Sequence, residues 1–118
     1  DVMRAFALET QPAPRLTDVA QGTAAASYSM PTVSSNGGKA GTGIVWAINS
    51  TTFRAYDAQT LQQPIFETTI PPFNGGSPFL TPMVANGRVY IGTFDGMLYC
   101  FGAASLPARA ATMAPEVR

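Results

Sequence analysis

The sequence predicts an all-β protein built from repeated antiparallel units, and three observations lead there. Ile44-Val45-Trp46-Ala47 followed by Phe53-Arg54-Ala55-Tyr56 returns 45 residues later as Val89-Tyr90-Ile91-Gly92 followed by Leu98-Tyr99-Cys100-Phe101. A period of this length in a strand-rich chain signals stacked β units, each burying its apolar surfaces only against neighbours. Asn86-Gly87 and Asp95-Gly96 punctuate the carboxyl half, and these dipeptides supply the positive-φ residues of tight hairpins. Hydrophobic residues make up 46% of the 118 positions, and charged residues only 12%, about half the usual share.

The carboxyl half reads as a meander with strands at 82–85, 88–94 and 97–101. Large apolar groups fall on both of its faces. Val89, Ile91, Leu98 and Cys100 are assigned to one parity, and Tyr90, Tyr99 and Phe101 to the other, so the sheet is expected to be covered on both sides. The earlier copy runs as strands at 28–34, 44–48, 52–58 and 65–70, with turns at Asn49-Ser50-Thr51 and 59–64. Four strands per unit fits a propeller blade. Pro31-Thr32-Val33 matches Pro82-Met83-Val84 at an offset of 51 rather than 45, which places six extra residues in the loop 36–43. Insertions in repeats fall in loops, where they cost little.

Met3-Arg4-Ala5-Phe6-Ala7-Leu8 resembles Phe53-Arg54-Ala55-Tyr56-Asp57-Ala58, so residues 1–8 read as a remnant strand of a preceding unit. Residues 9–27, with Pro12, Pro14, Gly22 and several alanines, read as a connecting loop in which 16–20 could form a helical turn. The first full blade is then 28–70, the inter-blade loop 71–81, and the last, incomplete blade 82–102. The Ala/Pro-rich stretch 103–118 reads as a loosely held tail.

Composition removes whole classes of function. There is no histidine, which eliminates His-based triads and the commonest zinc ligand. Cys100 is the single cysteine, so no internal disulfide and no Cys-ligated metal centre can form. Seven basic residues balance seven acidic ones, with Lys39 the only lysine, and neither a nucleic-acid footprint nor a polybasic membrane patch can be assembled from them. No apolar run approaches the ~20 residues of a membrane span. A surface this poor in charge is expected to meet other protein.

Few residues invite a chemical reading. The loop Asn36-Gly37-Gly38-Lys39-Ala40-Gly41-Thr42-Gly43 has the glycines and lysine of an anion cradle, but it lacks the Gly-Lys-Ser/Thr ending and joins two strands, so it reads as a hairpin insertion. Asp57 and Asp95 stand at strand ends and read as turn residues bonding their own backbone rather than as an acid–base pair. Trp46 on a buried strand reads as core rather than as a cofactor stacking platform. Asn49-Ser50-Thr51 matches the N-glycosylation acceptor in an exposed turn. Residues 73–79 read as a blade connection whose Phe73 and Phe79 clamp the loop. No catalytic or metal-binding residue is assigned, and no cofactor-binding residue can be named.

The run from Pro82 to Gly102, Pro-x-Val-x-Asn-Gly-x-Val-Tyr-Ile-Gly-Thr-x-Asp-Gly-x-Leu-Tyr-x-Phe-Gly, resembles the repeat of quinoprotein-type (PQQ-like) β-propellers. Phe53-Arg54-Ala55-Tyr56-Asp57-Ala58 resembles the third strand of that repeat. Leu61 stands near the family's glycine and Phe66 near its blade-docking tryptophan. The resemblance implies an incomplete β-propeller of about two four-stranded antiparallel blades plus part of a third, taken from the carboxyl-terminal end. It implies a structural or protein-binding scaffold in an extracytoplasmic (periplasmic or secreted) setting, with no cofactor. Its partners would be the remaining blades of a longer parent or other copies of itself. The alternative it implies is the carboxyl-terminal part of a PQQ-dependent dehydrogenase, with PQQ, calcium and the catalytic residues held in other blades. No residue here matches the family's cofactor motifs, which points away from catalysis by this chain alone. A β-sandwich, with the two copies paired face to face, stays open as a different all-β arrangement.

Overall fold

The computed structural model describes residues 1–25, 29–70, 79–103 and 113–117, all in strands, turns and irregular segments. Ten strands follow in order: β1 (Val2–Glu9), β2 (Arg15–Ala25), β3 (Thr32–Ser34), β4 (Ile44–Asn49), β5 (Thr52–Asp57), β6 (Pro64–Thr69), β7 (Met83–Ala85), β8 (Arg88–Gly92), β9 (Leu98–Ala103) and β10 (Met113–Val117). They form a hairpin β1-β2 and two four-stranded sheets, β3-β4-β5-β6 and β7-β8-β9-β10, every pairing antiparallel. The described residues are all-β, and none of their sheets closes on itself.

The middle sheet, β3 to β6, is buried on both faces. Trp46, Ile48, Phe53 and Ala55 pack with Val89, Ile91, Tyr99 and Phe101 of the second sheet. Val45, Ala47 and Tyr56, on the opposite face, pack with Met3 and Leu61 and against Ala5, Ala20 and Ala24 of the β1-β2 hairpin. Burial on both faces explains why β4 reads as an apolar run rather than an alternation. No polar or charged residue is buried among the described residues.

Turn chemistry sets the register. Asn86 (φ 50°) and Gly87 (φ 70°) make a two-residue turn with positive φ at both positions, as type I′ requires, between the paired Ala85 and Arg88. Ser50 (φ 56°) takes the first position of the equally tight β4-β5 turn. The β8-β9 connection is longer than the sequence suggests. Gly92 pairs with Leu98, the Thr93 N–H donates to the Met97 carbonyl at 2.9 Å, and Gly96 (φ 82°) closes a three-residue loop. Pairing therefore joins even to even and odd to odd. Val89 and Ile91 share a face with Phe101 and Tyr99, while Tyr90, Leu98 and Cys100 share the other. The parity assigned from a two-residue Asp95-Gly96 turn is corrected by that one extra residue, since a single step of register exchanges the faces of a strand.

Two further expectations are overturned. Residues 9–27 are no mere connection: 15–25 form the 11-residue β2, paired with β1 from Glu9↔Arg15 to Val2↔Ala25. Its small inward residues, Ala20, Gly22 and Ala24, are what let this strand approach the β5-β6 turn. A Cβ on Gly22 would lie 2.8 Å from the Leu61 carbonyl oxygen. The stretch 103–118 is no mere tail either, because 113–117 pair with β9 from Met113↔Ala103 to Val117↔Tyr99. That pairing satisfies an edge of β9 that would otherwise present a row of open backbone groups, and it makes the last unit four-stranded rather than incomplete. Of the strand expected at 28–34, residue 28 lies outside the described residues and 29–34 form strand only at Thr32–Ser34, consistent with Pro31 having no N–H to offer a ladder. The connection at 71–81 lies outside the described residues for 71–78.

Candidate functional site

The two four-stranded sheets leave a groove of about 640 Å3 between them, beside the loop 36–43. Ser34, Asn36, Thr42, Ile44, Trp46 and Asp57 line it from one sheet, and Val84, Gly87 and Val89 from the other. The loop 36–43 builds one wall, where the second sheet has only the Asn86-Gly87 turn. That loop is tied to itself. Thr42 Oγ1 donates to the Lys39 carbonyl at 2.7 Å and accepts from the Asn36 N–H at 3.0 Å, while the Lys39 N–H donates to the Asn36 carbonyl at 3.1 Å. Lys39 does not line the groove.

Asp57 caps a turn: its Oδ1 accepts from the Gln59 N–H at 2.8 Å and the Thr60 N–H at 3.2 Å. Asp95 does the same in its own loop, accepting from the Thr93 hydroxyl and, at 3.4 Å, from the Met97 N–H. The two carboxylates are not brought together. Gly87 marks the groove end of β8 and Asp95 follows its far end, five strand residues or about 16 Å away. Trp46 is a core residue whose ring stacks on Phe53 at 5.8 Å and whose Nε1 donates to Ser34 Oγ at 2.8 Å. Asn49 ends β4 half-buried, with Ser50 and Thr51 in the turn beyond it. Among the described residues no group of three or more His, Cys, Asp and Glu could hold a metal ion.

The faces of the layers carry a more organised pattern. Val33, Val45, Ala47 and Tyr56 of the middle sheet point back toward the hairpin. Cross-strand pairing matches Val33-Val45-Tyr56 to Val84-Val89-Phe101, so β4 corresponds to β8 at an offset of 44, one residue short of the 45-residue echo that aligns Val45 with Tyr90; the counterparts Val84, Val89, Ile91 and Phe101 point back toward the middle sheet. Phe53 and Ala55 point forward, as do Leu98 and Cys100 after them. The hairpin obeys the same rule, with Met3 and Ala5 forward at the places of Phe53 and Ala55. All three layers therefore stack head to tail, with unlike faces in contact. Phe66 sits edge-on to Phe53 at 6.1 Å and Phe101 at 6.4 Å, bridging two layers. Leu61 has φ 55° and is buried under the hairpin.

Residues that sequence reasoning passed over hold the layers in place. Arg54 donates to Glu67 Oε2 at 2.6 Å and to the Ala25 carbonyl at 3.1 Å, tying the middle sheet to the hairpin. Arg4 and Asp18, 2.8 Å apart on the hairpin, repeat the cross-strand ion pair, a signal the Phe53/Met3 alignment already contained. Thr23 donates through both N–H (3.2 Å) and Oγ1 (2.8 Å) to the Gln62 carbonyl. The Arg88 guanidinium reaches across the forward face of the last sheet to Cys100 Sγ, at 3.9 Å.

Burial raises the Tyr56 hydroxyl above its ordinary 10.0, with Glu67 adding to the rise and Arg54 opposing it. The unfolded chain then loses this proton first, so the contribution is intact below pH 10 and is lost as pH climbs beyond it. Alkaline unfolding is expected to begin above about pH 10 and to move to higher pH in Tyr56→Phe, followed by tyrosinate absorbance and Trp46 emission.

These features define an all-β protein of antiparallel sheets stacked layer on layer, with contact faces more developed than any reactive site. No family model matches the chain, no curated protein is detectably similar to it, and no solved structure matches its fold. Among the described residues no helix is long and apolar enough to cross a membrane.

Proposed function

We propose that this chain is a segment of a PQQ-like β-propeller and serves as a structural or protein-binding scaffold. The observation that carries the reading is the head-to-tail order of its layers. A rotation about a common axis brings the forward face of each blade onto the back face of the next, whereas a sandwich of two equivalent sheets would place like faces together. The positions of Leu61 and Phe66 also favour it. Leu61 takes the positive φ for which a glycine is the usual solution, and Phe66 makes the inter-layer aromatic contact assigned to the docking tryptophan. An extracytoplasmic location belongs to the same proposal and rests on the resemblance.

The test is the intact mass and structure of the polypeptide as its own gene encodes it. Four to eight stacked four-stranded sheets around an axis are expected, supplied by one polypeptide or by several copies of it. A closed two-sheet body with like faces in contact would sink the reading. Dye reduction dependent on added PQQ and calcium would show an enzyme in place of a scaffold.

A further inference from the structure

Both ends of the stack expose apolar residues whose counterparts one layer inward are buried. At the hairpin end Phe6 is 51% exposed, although Tyr56 and Phe101, at the same place in the later copies, are each 1% exposed. Leu8 and Leu16, paired across the hairpin, extend that patch. At the other end Leu98 is 41% exposed, whereas its counterpart Phe53 is fully covered by the next sheet. Met83 and Tyr90 pair beside it on the same face.

We propose that the hairpin's back face (Phe6, Leu8, Leu16) docks onto the forward face of the last sheet (Met83, Tyr90, Leu98) of a second copy of this chain. The inference rests on the head-to-tail reading and names the partner. What says a sheet of this kind covers these faces is the chain itself: it contains the same junction twice, hairpin on middle sheet and middle sheet on last sheet, and each copy presents the two halves of a third. The contact is heterologous, so it propagates into a ring or a filament rather than stopping at a two-fold dimer. A two-stranded face about eight residues long covers roughly 250 Å2, from a ~4.8 Å strand spacing and a ~3.3 Å rise. That is well below the ~800 Å2 per partner of a standard interface, so one junction is weak and assembly depends steeply on concentration.

Sedimentation of the purified chain across a hundredfold concentration range tests this, alongside Leu16→Asp and Leu98→Asp. Both substitutions fall at exposed positions, and unchanged Trp46 emission verifies that each variant is folded. The wild type is expected to self-associate, each variant alone to be monomeric with at least a tenfold weaker association, and an equimolar mixture to form a discrete heterodimer through the one junction left intact. A variant that still dimerises alone, a mixture that stays monomeric, or a wild type monomeric throughout would overturn the second-copy proposal. The last result, with further stacked sheets in the native polypeptide, would leave the scaffold reading standing; like faces packed together in that polypeptide would remove both.

Discussion

Phe53→Ala is expected to cost about 3–5 kcal/mol, the range for truncating a buried aromatic, and so to consume most of an ordinary domain's ~5–15 kcal/mol. Phe53 is fully buried and touches three other rings: Trp46 at 5.8 Å, Phe66 at 6.1 Å and Phe101 at 4.9 Å. Its removal opens a cavity at the junction of two layers, where neither sheet can collapse without leaving its own ladder. Urea unfolding followed by Trp46 emission measures the loss. Trp46 stacks on the deleted ring, so its emission in the native state should also change. A cost under about 1 kcal/mol would mean that the two sheets are not joined through this cluster.

The second large effect is expected at Leu61, where two forces oppose one another. Its side chain is buried beneath the hairpin, so Leu61→Ala should lose about 2–4 kcal/mol. Its backbone has φ 55°, a conformation costing an L-residue roughly 1–2 kcal/mol that glycine does not incur. Leu61→Gly removes slightly more buried surface but relieves the strain, at the expense of a more flexible unfolded chain. It is therefore expected to be milder than Leu61→Ala by about 1 kcal/mol, reversing the usual order. Denaturant midpoints of the two variants decide it, and alanine proving the milder change would refute the strain.

Much of this architecture was legible in the residues, and where legibility failed the causes are specific. The meander from 83 to 101 was readable because Asn86-Gly87 admits few backbone solutions and because apolar residues crowd both faces. The 45-residue echo exposed the second sheet. The misassigned faces of β8 and β9 arose from one residue. Asp95-Gly96 suggests a two-residue turn, but the Thr93 N–H closes a wider loop on the Met97 carbonyl. The strand β2 was hidden because Gly22 and its neighbouring alanines resemble a linker, although at a close approach between layers small side chains are what packing demands. β10 carries a proline and sits in an Ala/Pro-rich context, and only pairing with β9 makes a strand of it. The head-to-tail order of the faces could not be seen until the true register was known. For the candidate site, the turn roles of Asp57 and Asp95 and the core role of Trp46 followed from residue type and position. The interlayer ties of Arg54 and Thr23 did not, because they depend on which layer lies opposite.

The loop between β3 and β4 differs from the chain's other short connections in what it leaves undetermined. One residue added at Ser50 or Gly96 would exchange the faces of a whole strand, whereas this excursion, nine residues between the paired Ser34 and Ile44 against two between Ala85 and Arg88, absorbs seven extra residues where the sequence offsets suggest six. A Cβ placed at Gly37, Gly38 or Gly41 meets no atom within 4 Å, and the loop's hydrogen bonds are largely to itself. Its tip is a natural grafting point: an epitope, fluorophore tag or cleavage sequence spliced between positions 38 and 41 would be displayed in solvent while both stacking ends stay untouched.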